Sequence, residues 1–335
     1  MKALITTPRG KVFDTFFTEE NIRLAESLFD EIVWNEGMKP FTPDEVKERI
    51  ADCDVYIASW GGPKLEADII AAAPKLKMLT YLCGSVKPVV SDAVWENNIT
   101  VLTGNGFFAE SVAEGALAYM LAALRDIPFY SRRLQEQRLW KTPDDMNYGL
   151  AGKKIGILSY GAIAKHMVRL LSNFRTELYV YDIKPLPEED VKKYNLHQAS
   201  LEEIFSTCDI VSVHTPKLPA TYHMVSAELL AMLKEGALLI NTARGAVIDQ
   251  KAMEEQLKSG RFRAVLDVYE QEPPPADCAL YDLPNVIMMP HQGGPTIDFR
   301  QVIAHDLLIE TAEFLKNGTP CPHEITQAAA AMMTE

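Results

Sequence analysis

The 335-residue chain predicts an α/β protein of two doubly wound parallel sheets, a Rossmann-type domain inserted in a flavodoxin-like one. Three observations carry the prediction. Five short apolar runs alternate with helical patterns between residues 2 and 103. Residues 154–182, KIGILSYGAIAKHMVRLLSNFRTELYVYD, read as strand, tight turn, helix and a second strand closing on an acid. A last helical pattern at 297–316, with Ile303, Leu307, Leu308, Thr311 and Leu315 on one face, is long enough to return to the first domain. The expected division is 1–108 with 297–335 for the flavodoxin-like domain and 109–296 for the Rossmann-type one.

In chain order, Lys2-Ala3-Leu4-Ile5-Thr6 is the first strand. A helix with Ile22, Ala25, Leu28 and Phe29 on one face follows, then a short strand, Ile32-Val33-Trp34. Thr42-Pro43-Asp44-Glu45 is a capping box with proline at the first helical position, so a helix starts there. Strands at 54–59, 77–82 and 99–103 alternate with helices at 66–73 and 92–97. The loops after the strands lie on the edge where such sheets take ligands. They are Thr7-Pro8-Arg9, Trp60-Gly61-Gly62-Pro63, Cys83-Gly84-Ser85-Val86-Lys87 and Gly104-Asn105-Gly106-Phe107-Phe108, and each taken singly is equally an ordinary βα turn. Residues 109–125 are apolar on nearly every side and predict a buried helix. The arginine-rich stretch 126–149 has no clear period and reads as an arm or long connector.

Within 154–182, Ile155-Gly156-Ile157-Leu158 is a buried strand and Ser159-Tyr160-Gly161-Ala162-Ile163-Ala164 the turn. Such a turn aims backbone N–H groups at a pyrophosphate from a helix N-terminus. Asp182 would accept from the adenosine ribose hydroxyls and repel a 2′-phosphate, so NAD rather than NADP is the expected cofactor. The fingerprint departs from G-x-G-x-x-G: Ser159 stands first, Gly161 is kept, and Ala164 is third. On this segment alone a plain βαβ crossover stays open. Downstream, Ser200-Leu201-Glu202-Glu203 is a capping box, and strands at 210–214, 237–241, 264–267 and 286–289 bring the second sheet to six or seven strands. The tail, 326–335, is rich in alanine and methionine and reads as loose.

Composition narrows the class. A hydrophobic share of 47% with 24% charged residues suits a soluble globular protein, and a net charge of −13 argues against nucleic acid or an anionic membrane as partner. The longest apolar stretch, 115–124, is too short to span a bilayer, and the N-terminus lacks a signal-peptide pattern. Five scattered cysteines without C-x-x-C suit a reducing compartment, so the expected location is the cytoplasm. Seven histidines show no metal-ligand spacing, and no metal is expected.

Three strand ends of the second sheet carry ionisable residues. Arg244 stands in Asn241-Thr242-Ala243-Arg244-Gly245, carboxylates in Asp267-Val268-Tyr269-Glu270-Gln271-Glu272-Pro273, and His291 in Pro290-His291-Gln292-Gly293-Gly294. Arginine clamps a carboxylate. Histidine moves a proton near neutral pH, and a carboxylate beside it orients the ring and favours its charged form. Together they suit reversible oxidation of a hydroxyl to a carbonyl with a nicotinamide taking the hydride.

The stretches GILSYGAIA, VSVHTPKLPATYHMVS, LLINTARGAVID, AVLDVYEQEP and NVIMMPHQGG resemble the D-isomer-specific 2-hydroxyacid dehydrogenase family, which includes phosphoglycerate, glycerate and D-lactate dehydrogenases. The resemblance covers 112–296. It implies that Arg244 binds the substrate carboxylate, His291 is the acid/base and Glu272 its partner, matched by the second carboxylate of DVYEQEP rather than Glu270. It implies NAD held by Ser159, Tyr160, Gly161, Ala162, Ile163 and Asp182. His214, Thr215 and Pro216 would lie beside the adenosine half, with Thr242, Ala243, Asp267 and Gly293 at the nicotinamide. Backbone amides of Gly84, Ser85 and Val86 would help hold a small 2-oxo or 2-hydroxy acid, with Trp60 as a wall; Lys87 stands where an aspartate is usual and is read as solvent-facing in preference to a contact for a distal anion. The family's usual assembly implies a homodimer built through the cofactor domain. The chain departs from the family at CGSVKP, where G-x-G-V-D-N is usual, and at Ala113-Glu114-Gly115, where A-E-H is usual. A dinucleotide-sensing corepressor with little turnover is the alternative; formate dehydrogenase, with glutamine where Glu272 stands, ranks lower.

Overall fold

The computed structural model describes residues 1–334, which divide into two compact units: Met1–Phe108 with the chain from Pro295 onward, and Ala109–Gly294. In chain order the first unit contains β1 (Lys2–Ile5), α1 (Lys11–Phe16), α2 (Glu19–Leu28), β2 (Glu31–Trp34), α3 (Pro43–Ile50), β3 (Val55–Ala58), α4 (Ala67–Ala71), β4 (Met78–Tyr81), α5 (Asp92–Glu96) and β5 (Thr100–Thr103). The next helix, α6 (Asn105–Leu124), continues into the second unit. There follow α7 (Ile127–Gln137), β6 (Lys154–Leu158), α8 (Ala162–Leu171), β7 (Glu177–Tyr181), α9 (Glu188–Tyr194), β8 (Leu196–Gln198), α10 (Leu201–Thr207), β9 (Ile210–Val213), α11 (Ala227–Met232), β10 (Leu238–Asn241), α12 (Gln250–Lys258), β11 (Arg263–Leu266) and β12 (Val286–Met288). The chain returns to the first unit with α13 (Ile297–Asn317) and α14 (Gln327–Ala331).

The first sheet is parallel with order β2-β1-β3-β4-β5, the flavodoxin-type order. Its core takes the buried faces of α1 to α5 and, from α13, Ile303, Ala304, Leu307 and Leu308. Apolar spacing alone does not fix α13. Asn21 of α2 donates through Nδ2 to Phe16 O (2.7 Å) and Gln301 O (2.8 Å), and the buried hydroxyls of Thr80 and Thr311 meet at 2.7 Å. The box at Thr42 is formed in both directions, Thr42 Oγ1 accepting from the Glu45 N–H (3.3 Å) while Glu45 Oε2 accepts from the Thr42 N–H (2.8 Å).

The second sheet is also parallel, with order β12-β11-β10-β9-β6-β7-β8, the Rossmann order with one further strand at the β11 edge. Alternate residues of each strand face two cores. One packs under α10, α11 and α12 and the other under α6 and α8. Gly156 lets β6 meet α10, since a Cβ there would lie 2.3 Å from Ile204 Cγ2.

Several elements differ from the sequence-based expectation. Residues 104–108 do not form an open loop: α6 begins at Asn105, and Phe108 N–H already donates to Gly104 O (3.0 Å). The turn-forming Gly104-Asn105-Gly106 yields to packing, because a Cβ on Gly104 would lie 3.0 Å from both Ile303 Cγ2 and Leu82 O. By length and composition alone α6 could cross a membrane; in the fold its Ala113, Ala116, Met120 and Ala123 lie in the second unit's core. The 126–149 stretch contains α7, none of whose residues is buried. The tail forms α14, capped by Thr326 and resting on buried Ala330, with Glu335 outside the described residues. At Ser200 only half of the box forms, the Ser200 hydroxyl accepting from the Glu203 N–H at 3.1 Å. Helices α1 and α9 have no counterpart in the sequence reading.

The Thr80–Thr311 contact yields a stability prediction. Thr311→Val leaves the Thr80 hydroxyl buried without its partner, at a cost of about 1–3 kcal/mol. Thr80→Val with Thr311→Val recovers most of that loss, so thermal denaturation of the two variants separates hydrogen bonding from packing.

Candidate active site

The site in the second unit is built at the carboxyl ends of β6, β9, β10, β11 and β12. Past β11, Asp267 is buried, and the chain after β12 is wrapped around it. Asp267 O accepts from the His291 N–H (2.9 Å), Oδ1 from the Gln292 N–H (2.8 Å) and Oδ2 from the Gly293 N–H (2.7 Å). His291 adopts φ +52, in the left-handed region. Its Nδ1 lies 2.6 Å from Glu272 Oε2, while Glu272 Oε1 accepts from the Tyr269 N–H at 3.0 Å. A carboxylate on Nδ1 fixes the proton there and turns Nε2 outward. Glu270 is engaged elsewhere: its carboxylate pairs with His223, and its N–H donates to Gln250 Oε1 (3.0 Å).

Arg244 follows β10 in a turn braced by Asn241, whose Oδ1 accepts from the Ala243 N–H (3.0 Å) and whose Nδ2 donates to Arg244 O (3.1 Å). Its guanidinium is half-buried and donates from Nη1 to Ala243 O (2.7 Å). Burial pushes its pKa down and the nearby Glu272 carboxylate opposes this. Gly245 brings this turn against the Glu272 loop, for a Cβ there would fall 1.9 Å from the Tyr269 carbonyl carbon.

The expected turn between β6 and α8 is present. Gly161 N-caps α8, and a Cβ on it would meet nothing within 4 Å. Ser159 takes φ +71, the conformation that a glycine adopts readily, and its hydroxyl meets that of Thr215 at 2.9 Å. Asp182 stands past β7, with Oδ2 accepting from the Tyr160 N–H (2.7 Å) and Oδ1 from the Lys184 N–H (2.9 Å). Ala162 and Ile163 open the helix. His214 is buried beyond β9 with Nε2 at 2.9 Å from Ser212 Oγ, and burial lowers its pKa to about 4. Thr215 is buried beside it, with Pro216 next in the chain.

These groups fit a dinucleotide. His214 Nδ1 and Thr242 Oγ1 are buried without a hydrogen-bond partner at two central strand ends, which an intended ligand would remedy. Gly161 leaves open the approach a phosphate needs, and Asp182 keeps carboxylate lone pairs for a ribose. Gly115, where the family has histidine, also has a local reason: a Cβ there would lie 3.3 Å from Gly293 O.

In the first unit, Gly84 and Ser85 follow β4. Thr103 Oγ1 donates to Gly84 O (2.6 Å), and Ser85 Oγ donates to Thr334 O (2.7 Å). Val86 is buried, and with Lys87 it lines a surface depression shared with Glu66, Asp92 and Gln327. Trp60 meets Phe16 and Phe108 edge-on, with the Arg300 guanidinium over its ring. The sequence reading did not single out the bracing role of Asn241, which its strand-end position could have indicated.

Two glycines separate fold from ligand. Gly245→Ala must displace the Tyr269 backbone, so it lowers the melting temperature and reduces kcat/KM about ten-fold or more, given how steeply rates fall with ångström-scale misplacement. Gly161→Ala keeps stability within about 1 kcal/mol and raises KM for the dinucleotide. Calorimetry and steady-state kinetics on both variants check the pair.

Residues 117–293 match the family model for the D-isomer specific 2-hydroxyacid dehydrogenase NAD binding domain. The chain is 31% identical over 315 residues to a glyoxylate reductase of Korarchaeum cryptofilum, covering 92% of this chain and 93% of the relative. It is 32% identical over 287 residues to a D-3-phosphoglycerate dehydrogenase of Haemophilus influenzae, covering 84% and 68%. The structure of D-mandelate dehydrogenase from Rhodotorula graminis shares its fold, with a TM-score of 0.81, 23% identity and 97% of each chain covered. The chain therefore belongs to the D-isomer specific 2-hydroxyacid dehydrogenase family, with NAD as its cofactor.

Proposed function

We propose that this dehydrogenase reduces a small 2-oxo acid to the D-2-hydroxy acid, with His291 as the proton donor, Glu272 as its orienting partner and Arg244 as the clamp on the substrate carboxylate. The observation that carries the assignment is the 2.6 Å pairing of His291 Nδ1 with Glu272 Oε2, in a loop packed against the turn bearing Arg244. NAD(H), when bound, supplies or takes the hydride. Arg244 spends one terminal nitrogen on Ala243 O and keeps further donors for a carboxylate. His291 keeps Nε2 for the carbonyl oxygen, giving a proton in reduction and taking one in oxidation. Glu272 stabilises the charged ring and is itself held by the Tyr269 amide.

The turn at 159–163 with Asp182, and the strand-end groups His214, Thr215, Pro216, Thr242, Ala243, Asp267 and Gly293, are the proposed cofactor contacts. On the substrate side we assign Trp60 and the Gly84-Ser85-Val86 backbone, with Lys87 set apart at its own depression. Asp182 favours NADH over NADPH. Reduction of 2-oxo acids by the purified enzyme tests the reading. His291→Gln lowers kcat by about 100-fold or more, and Arg244→Ala raises KM strongly. An unchanged kcat in His291→Gln, or equal kcat/KM with NADPH, contradicts the corresponding role. Absence of turnover with any 2-oxo or 2-hydroxy acid returns the corepressor alternative.

A homodimer is the proposed assembly. Helix α7 buries none of its residues, and Ile127, Phe129, Leu139, Trp140, Met146 and Tyr148 are all more than half exposed. An apolar surface of that kind calls for a partner. Sedimentation equilibrium returns twice the chain mass if a second copy covers it, and a monomer at micromolar concentration rules the dimer out. The five cysteines form no disulfide and support a cytoplasmic location, which cell fractionation would check.

A further inference from the structure

Six arginines are half-buried: Arg9, Arg49, Arg133, Arg244, Arg263 and Arg300. Four of them pair with carboxylates, Glu36, Glu48, Asp145 and Asp126 respectively. Among the described residues no carboxylate pairs with the other two. Arg244 is the proposed clamp for the substrate carboxylate, which leaves Arg300 without an account.

Arg300 stands in the first turn of α13, within the first unit. Its Nε donates to Pro295 O (3.1 Å), and its two terminal nitrogens form no hydrogen bond with the described residues. The guanidinium carbon lies 4.9 Å over the Trp60 ring, which in turn meets Phe108 (6.0 Å) and Phe16 (5.5 Å) edge-on. Trp60 follows β3, Gly84 follows β4 and Phe108 follows β5, so the cluster occupies the sheet edge where doubly wound folds take ligands. Gly84 lies beside the Phe108 ring. Burial presses the guanidinium toward neutrality. Among the described residues the only group opposing this is the Cys83 thiol, itself pushed up to about 12 by burial and so uncharged. A partly desolvated cation with open donors and no counter-charge is costly unless an anion completes it.

We propose that Arg300 determines substrate preference by binding a second anionic group of the 2-oxo acid, carboxylate or phosphate, with Trp60 and Phe108 as the apolar walls beside it in the first unit. This deepens the dehydrogenase reading and rests on it. A charged hydrogen-bonded pair contributes about 10- to 100-fold in affinity.

The test is NADH-linked kinetics of the whole enzyme with oxaloacetate, 2-oxoglutarate and a 3-phospho-2-oxo acid against glyoxylate, pyruvate and 2-oxobutyrate. Wild type is expected to prefer one of the dianionic sets, the carboxylate and phosphate arms telling which. Arg300→Met should lose at least about ten times more kcat/KM on that set than on the monoanions, through KM, with Arg300→Lys intermediate. Equal losses on all substrates, as from an arginine that only braces Trp60, or a wild-type preference for monoanions, overturn the proposal. Tryptophan fluorescence titrated with succinate and with inorganic phosphate reads the anion site without turnover. Saturable binding lost in Arg300→Met supports the site, and no saturable binding, or binding unchanged in that variant, overturns it. If Arg300→Met fails to fold, Arg300→Lys and Trp60→Phe carry the same comparisons. Absent turnover with every 2-oxo acid sinks the dehydrogenase reading, and the titration still decides the role of Arg300.

Discussion

The candidate active site depends on one buried carboxylate. Asp267 holds the amides of Gln292 and Gly293 with its two side-chain oxygens, and its carbonyl holds that of His291. An isolated carboxylate at that depth would be strongly disfavoured. Here two backbone N–H donors compensate the charge, and a third contact follows from the Tyr119 hydroxyl at 3.4 Å from Oδ1. The wrapping leaves no room for a side chain at 293, where a Cβ would lie 2.8 Å from Oδ2. It also drives His291 into the left-handed region, and that conformation presents Nδ1 to Glu272. Burial of a charge is thereby converted into the orientation of an imidazole.

The same economy of backbone runs through the neighbouring loops. Glu272 is placed by the Tyr269 amide, and Tyr269 is placed by Gly245, which tolerates its carbonyl at a distance no Cβ allows. The Tyr269 hydroxyl then reaches Leu266 O (3.0 Å) and Met289 O (2.9 Å), tying the end of β11 to the end of β12. Arg244, Glu272 and His291 are therefore positioned by one connected set of amide and glycine contacts rather than by three independent loops. Preorganisation of this kind is what proton transfer and carboxylate binding require, since small displacements cost large factors in rate.

Much of this was legible in the sequence because it depends on period and on turn chemistry. Both parallel sheets follow from apolar runs alternating with helical patterns, and the Thr42 box forms as its residues imply. In the fold His291 meets Glu272, while Glu270 faces His223. What local pattern could not convey was tertiary override. Gly104 looks like a loop residue, yet it serves close packing against Ile303 and the Leu82 carbonyl. The tail looked loose, yet Ala330 finds a buried place and Thr326 Oγ1 accepts from the Ala329 N–H (3.3 Å) to cap a short helix. Helix α7 carries its apolar residues outward, so no core periodicity announced it. The role proposed for Arg300 was invisible for a related reason: it rests on the lack of a paired carboxylate among the described residues, which only three-dimensional neighbours reveal.

The cofactor turn shows how a fingerprint can change without losing its geometry. Ser159 occupies the conformation usually given to glycine, at a strain of about 1 kcal/mol or more for an L-residue. Its hydroxyl contacts Thr215 at the end of β9, a bond glycine could not make, and this offsets part of that strain. The turn is therefore held from the adjacent strand rather than by the backbone freedom of its first residue. Gly161, the proposed point of approach for a phosphate, remains without a side chain and faces open space. The substituted residue thus bears on how the turn is stabilised, and the retained one on what the turn can bind.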